Sequence, residues 1–270
     1  MSLTYEEFKK EAAALTGVDL TAYKSQQMDR RLHSLMGLWG VATYDEYLHA
    51  LRTDEARFNE FQKKLTINVS EFFRNPERFE ELNTVVLPEL FQAGRPLRIW
   101  SAGCSNGAEA YTLAILIKES GFTYGARILG TDIDRESLRR AHLGVYTQNE
   151  VRCVPPHILE RYFTADDRSY RLAERIKVMV DFKFHNLLHG RFDGQYDLIL
   201  CRNVVIYLTE AAKDELYRKL CAVLRPGGYL MVGGTEPLLN FKEFGLENPL
   251  TAFYRKLPPA APGKLGQAVR

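Results

Sequence analysis

Two glycines spaced Gly-x-x-x-Gly, Gly103 and Gly107, follow the apolar run "LRIWSA" and lead into the helix-like "AEAYTLAI", with carboxylates further on at Glu109 and Asp132. In α/β proteins a strand, a glycine turn and a helix in that order cradle a cofactor, because backbone approaches a ligand closely where no side chain intervenes. The turn lacks the Gly-Lys-Ser/Thr of a P-loop and does not complete the GxGxxG of a dinucleotide site. Asp132, in "TDID", stands 25 positions beyond Gly107, about where such a fold presents a carboxylate to a ribose diol. A ribose-bearing ligand without a phosphate cradle points to S-adenosylmethionine. Capping of the helix that opens in "DIDRES" is the alternative role for Asp132, although Asp134 is better placed for it. Glu109, in the first turn after the glycines, either complements a helix N-terminus or accepts a hydrogen bond from an ammonium group.

These residues need strand ends to hold them, and the chain supplies the elements. From Thr4 to about Leu82 apolar residues recur at three and four, with Gly17, Gly37 and Gly40 as stops, which predicts an all-helical N-terminal domain over residues 1–85. The segment "LPELFQAGRP" then marks a boundary near Val85 to Arg95. Beyond it, residues 86–257 alternate: a strand at "LRIWSA", a helix over Glu109 to Lys118, a strand at "ARILGTDID", and a helix from near Asp134. "VDFKFHNLL" and "YDLILCRNVVIYL" read as strands, "TEAAKDELYRKLCAVL" as a helix capped by Thr209, and "PGGYLMVGG" as a turn feeding a strand. "TAFYRKL" reads as an antiparallel edge strand. The pattern implies a largely parallel sheet with helices on both faces and ligands beyond the carboxyl ends of the strands. Residues 161–184 break the alternation: Ile176, Val178 and Val180 alternate with polar neighbours behind a polar turn at Ala165 to Ser169, which predicts a small β-insert. The tail at 258–270, rich in Pro, Gly and Ala, is expected to be disordered.

Composition bounds the function. At 270 residues, 46% hydrophobic and 26% charged, the chain is an ordinary globular protein, and its formal charge of +2 shows no general excess that would draw it to nucleic acid. Early acids and the lack of an apolar h-region or an 18-residue apolar run predict a cytoplasmic protein without membrane insertion. Cys104, Cys153, Cys201 and Cys221 are scattered without CxxC spacing, so neither a disulfide framework nor a metal site is expected.

Several stretches taken together, "TINVSEFFRNP", "WSAGCSNGAEAYTLA", "GTDID", "HNLL", "CRNVVIY" and "LRPGGYLMVGGTE", resemble the chemotaxis receptor methyltransferase family, CheR, in order and spacing from about residue 5 to residue 257. The resemblance implies a class I methyltransferase domain, a Rossmann-like α/β fold with a seven-stranded mostly parallel sheet, joined to an all-helical N-terminal domain and carrying a β-subdomain. It implies transfer of the methyl of S-adenosylmethionine to the γ-carboxylate of glutamates in the cytoplasmic helices of chemoreceptors, leaving S-adenosylhomocysteine and serving sensory adaptation. Carried over by motif, Asn68, Ser70 and Arg74 reach the cofactor from the linking helix, with Gly103, Glu109 and Asp132 at the first two strand ends. By the same resemblance Asn186 and Leu187 are expected beside adenine, Cys201, Arg202 and Asn203 at the fourth strand's end, and Tyr207 facing the methyl group. Arg74 is then expected to anchor the cofactor carboxylate, and Tyr207 to orient the substrate carboxylate.

The glycine turn departs from the family's common GEEPY: it reads "GAEAY", with Ala108 and Ala110 for a Glu and a Pro. In some relatives the β-subdomain grips a tether at the receptor C-terminus; the short loop "FTADDRSY" argues against tether docking here. Lys24, Arg30 and Arg31 on a predicted helix either meet an acidic receptor bundle or form a solvated face. The competing readings are a class I methyltransferase on another substrate and a catalytically silent S-adenosylmethionine-binding scaffold.

Overall fold

The computed structural model describes residues 3–65 and 70–259. The expected cofactor residue Asn68 and the tail from residue 260 lie outside the described residues. Among the described residues the N-terminal part is built of α1 (Tyr5–Thr16), α2 (Ser25–Trp39), α3 (Tyr44–Thr53) and α4 (Glu55–Leu65). Local chemistry sets their ends. Thr4 with Glu7, and Thr43 with Glu46, form reciprocal capping boxes, and Gly17 and Gly40 end α1 and α2 in the left-handed conformation. The helices close on Phe8, Leu32, Leu35, Tyr47 and Phe61, with the Phe8 and Tyr47 rings stacked at 4.9 Å.

That core ends at Leu65. Helix α5 (Pro76–Glu81), a π-helical turn (Leu82–Val86) and α6 (Leu87–Phe91) run on without the break expected near Val85. Phe72, Phe79, Leu82, Val86 and Leu87 pack into the core under the sheet instead of into the bundle. The change of core therefore falls between Leu65 and Phe72, earlier than the boundary at 85 read from composition. Helical periodicity shows that a face is apolar, not which core it meets.

Among the described residues ten strands follow: β1 (Leu97–Ala102), β2 (Ala126–Asp132), β3 (Val145–Thr147), β4 (Phe163–Asp166), β5 (Ser169–Leu172), β6 (Val180–Phe184), β7 (Tyr196–Cys201), β8 (Leu224–Val232), β9 (Leu246–Leu250) and β10 (Phe253–Lys256). Seven form the main sheet in the order β6-β2-β1-β7-β8-β10-β9, parallel except around β10, with α7 (Ala108–Glu119) and α8 (Arg135–Leu143) as crossovers. Side chains alternate between two apolar layers: Ile99, Leu198 and Leu200 face one, Trp100, Ile199 and Cys201 the other. A strand covered on both faces reads as a continuous apolar run, as "LILC" in β7 does.

Three expectations change. Strand β10 is antiparallel but internal; the edge is β9, whose "LENPL" carries Pro249, tolerable only where one side of a strand is unpaired. The 161–184 segment supplies β4 and β5 of the small sheet β3-β5-β4, but that sheet begins earlier, at Val145, and β6 belongs to the main sheet. The alternation at 176–180 misled because Glu174–Lys177 is a helical turn: Ile176 is buried while Val178 is 74% exposed. Finally, the strand expected through "CRNVVIYL" stops at Cys201, and Val205–Tyr207 form a 3-10 turn.

Candidate functional site

The turn after β1 is shaped by close approach. Gly103 and Gly107 both have φ of 83°, and a Cβ on Gly103 would come within 2.5 Å of Val204 Cγ2 in the loop after β7. The amides of Gly103 and Cys104 donate to the Thr131 carbonyl at 2.8 and 2.9 Å, locking this turn to the end of β2. Asp132 then receives two amides, Ser105 N on Oδ2 at 2.7 Å and Asp134 N on Oδ1 at 2.9 Å. Asp134 is the helix cap, accepting from Glu136 N, as its position suggested. Burial raises the Asp132 carboxyl above its ordinary value, opposed by those two amides.

Glu109 is held from two sides. Its Oε1 accepts from Ser101 Oγ at 2.7 Å, and its Oε2 meets Arg202 Nη1 at 3.2 Å, with the two side chains 14% and 3% exposed. Arg202 Nη2 donates to the Arg74 carbonyl at 2.9 Å and to Asn75 Oδ1 at 2.8 Å, and the guanidinium lies 5.2 Å from the Phe79 ring centroid. One buried cation thus ties the β7 exit to the first turn of α7 and to the linking segment that carries Arg74.

The N-terminal helices close the site. Lys24 N donates to the Tyr207 carbonyl and Thr209 N to the Ala22 carbonyl, both at 2.8 Å, and Asn186 Nδ2 donates to the Gly17 carbonyl at 2.6 Å. The Arg31 guanidinium sits over the Tyr207 ring, 4.7 Å from its centroid.

One cleft results. Of the sequence-derived residues, Ser70, Arg74, Gly103, Glu109, Asp132, Asn186, Leu187, Arg202, Asn203 and Tyr207 line it. Cys201 does not: it is fully buried in the core, where burial pushes its thiol well up. A strand side chain one position before the exit points into the sheet's apolar layer. The expected basic face also divides. Arg30 is exposed, Lys24 lies 3.9 Å from Glu210, and Arg31 turns inward onto Tyr207.

Sequence reading missed Val18, Asp19 and Tyr23 from the connection between α1 and α2, Leu65 from the end of α4, and Ser105 and His185 from the strand ends, all of which line the cleft. Burial, then proximity to Asp132, raises the Tyr23 phenol to about 12. Only the chemistry-bearing neighbours of Ser105 and His185, in "GCSNG" and "HNLL", gave a signal.

Among the described residues, buried side-chain atoms without a hydrogen-bond partner include Ser105 Oγ, His185 Nε2 and Arg202 Nε, all in cleft-lining residues. Buried polar atoms are normally paired, so three in one cleft, beside a glycine that admits no Cβ, fit a polar ligand of nucleoside size. Among the described residues no three His, Cys, Asp or Glu side chains group as a metal site requires, and no helix is long and apolar enough to cross a membrane.

Comparison with known proteins agrees with this division of the chain. Residues 3–66 match the all-alpha domain of CheR methyltransferase, and residues 68–249 match its SAM binding domain. A chemotaxis protein methyltransferase of Listeria monocytogenes is 37% identical over 241 residues, covering 89% of this chain and 92% of that protein. One from Borreliella burgdorferi is 33% identical over 254 residues, covering 89% of each, and chemotaxis protein methyltransferase 1 of Pseudomonas aeruginosa is 33% identical over 251, covering 88% and 92%.

Proposed function

This chain belongs to the CheR methyltransferase family, and from that premise we propose that it methylates the γ-carboxylate of glutamates in the cytoplasmic helices of chemoreceptors, releasing S-adenosylhomocysteine. The observation that carries the reading is the cleft at the ends of β1, β2 and β7, roofed by the N-terminal helices, with Tyr207 in its wall. The enzyme acts in the cytoplasm, on its receptor's cytoplasmic helices.

When bound, S-adenosylmethionine supplies a methyl group already activated by its sulfonium. In this reading Asp132 would hold the ribose diol, Asn186 and Leu187 would lie against the adenine, and Arg74 would take the carboxylate of the methionine part. A glutamate with its ordinary pKa of about 4.3 is ionised at neutral pH, so the acceptor oxygen requires no general base. What the protein must do is place that oxygen in line and strip its water. The amide contacts of Ala22 to Lys24 with Tyr207 to Thr209 join the roof to the wall that faces the reaction.

Opposite charges cancel as methyl transfers, so a strong cationic clamp on the acceptor would favour the ground state over the transition state. The Tyr207 hydroxyl, which donates one directional hydrogen bond, suits the acceptor better. Tyr207→Phe is expected to lower kcat about ten- to a hundredfold with KM for the cofactor within about threefold. An unchanged kcat in steady-state methylation would remove Tyr207 from this role.

Arg30, exposed on α2, remains the simplest test of receptor attraction, because Arg31 is engaged at Tyr207. Arg30→Glu is expected to raise the receptor KM and flatten its dependence on ionic strength. Receptor kinetics identical to wild type at every salt concentration would exclude that face.

The reading as a whole is tested with methyl-labelled S-adenosylmethionine and a chemoreceptor cytoplasmic fragment. Label released as methanol by mild base is expected, since a glutamate ester hydrolyses readily. Base-stable label would place the methyl on another atom and overturn the reading.

A further inference from the structure

Behind the cleft wall lies a buried carboxylate to which the proposed chemistry assigns nothing. Glu236, 5% exposed, is not among the lining residues. Its Oε2 accepts from Asn203 N at 2.6 Å and Gly233 N at 2.9 Å, and its Oε1 accepts from Ile206 N at 3.1 Å. Asn203 sits at φ 58°, a left-handed conformation that a non-glycine residue adopts at a cost unless its surroundings hold it. A Cβ at Gly233 would lie 2.1 Å from Glu236 Oε2, so the β8 exit is cut away to admit this carboxylate.

We propose that Glu236 is a positioning residue for methyl transfer: by gathering the amides of Asn203, Ile206 and Gly233 it fixes the turn from β7 to Tyr207 and so aims the Tyr207 hydroxyl. The inference rests on the reading of Tyr207 given above. Its two oxygens serve different parts of the turn. Oε2 holds Asn203 against the β8 exit, and Oε1 holds the 3-10 turn that ends in Tyr207.

That division makes Glu236→Gln informative. A glutamine has one acceptor, which satisfies the two amides at Oε2; its NH2 then opposes the Ile206 N–H, and an opposed pair of buried donors cannot be tolerated in place. Asn203 should stay and the Tyr207 turn should shift. The expected result is S-adenosylhomocysteine affinity within about threefold of wild type and kcat at least about tenfold lower, with faster amide exchange at residues 205–207. In the Glu236→Gln background, Tyr207→Phe should add less than about twofold, because the hydroxyl is already misaimed.

Rates are taken per mole of protein that titrates with S-adenosylhomocysteine, which removes any misfolded fraction. Wild-type kcat on that basis would overturn the proposal, as would losses from the two substitutions that multiply. No base-labile transfer by the wild-type protein would sink the glutamate reading itself, and the proposal with it, before any Glu236 variant is compared.

Discussion

Arg202→Ala is expected to abolish measurable methyl transfer and to weaken S-adenosylhomocysteine binding by at least about a hundredfold, the scale of breaking a buried ion pair at one partner. The side chain is 3% exposed and bridges three acceptors on two other parts of the chain: Glu109 on one, and the Arg74 carbonyl with Asn75 Oδ1 on the other. Removing it leaves Glu109 with Ser101 as its hydrogen-bonding neighbour and frees the linking segment that carries Arg74 into the cleft. Arg202→Lys keeps the charge but, lacking the planar fork, cannot reach three acceptors in different directions, so it should recover little. Calorimetric titration with S-adenosylhomocysteine, beside a thermal melt, separates a displaced site from a lost fold. An Arg202→Ala protein that binds as wild type would show that the bridge is not what sets the cleft.

The largest effect on stability is expected at Asp197, remote from the chemistry. This buried carboxylate accepts from Arg95 Nη2 at 2.6 Å and Nη1 at 3.0 Å, from the Arg98 amide at 2.8 Å, and from Arg225 at 3.2 Å. It thereby pins the start of β1, the start of β7 and the entry to β8 at the end of the sheet opposite the cleft. Asp197→Ala should destabilise the fold by about 3–5 kcal/mol, because partners gathered around a buried charge lose it together.

The same residue gives the effect a pH signature. Burial raises the Asp197 carboxyl, but the hydrogen bonds from Arg95 and the Arg98 amide, with Arg225 nearby, outweigh it and hold it below the ordinary value. A group depressed on folding contributes fully above its unfolded pKa, about 3.9, and its contribution is lost as pH falls through the folded value. The gap between wild-type and Asp197→Ala stability should therefore be constant at neutral pH and shrink below about pH 4. Denaturant unfolding at a series of pH values measures it, and a gap independent of pH would assign the loss to packing.

Both predictions concern residues whose importance is not visible locally. "CRN" marks a strand end in the sequence, yet nothing near Arg202 shows that it spans 93 positions to Glu109 and 128 to Arg74. Asp197 sits in a strand-like apolar run, where an acid reads only as an interruption.

The sequence by itself determined the alternation of strands and helices, the glycine turn, and the Asp134 and Thr209 caps, since each depends on φ, periodicity or hydrogen bonds within a few residues. Its family resemblance also marked polar residues on both sides of the cleft, from Ser70 and Arg74 to Asn203 and Tyr207. Only the tertiary structure decided that residues 70–91 join the sheet's core, that β10 is internal, that Cys201 faces apolar packing, and that Arg31 turns onto Tyr207. Glu236 across 33 positions and Asn186 to Gly17 across 169 belong with these. Such contacts are chosen by which surfaces the folded chain brings together, and an amphipathic pattern states that a face must be covered without stating by what.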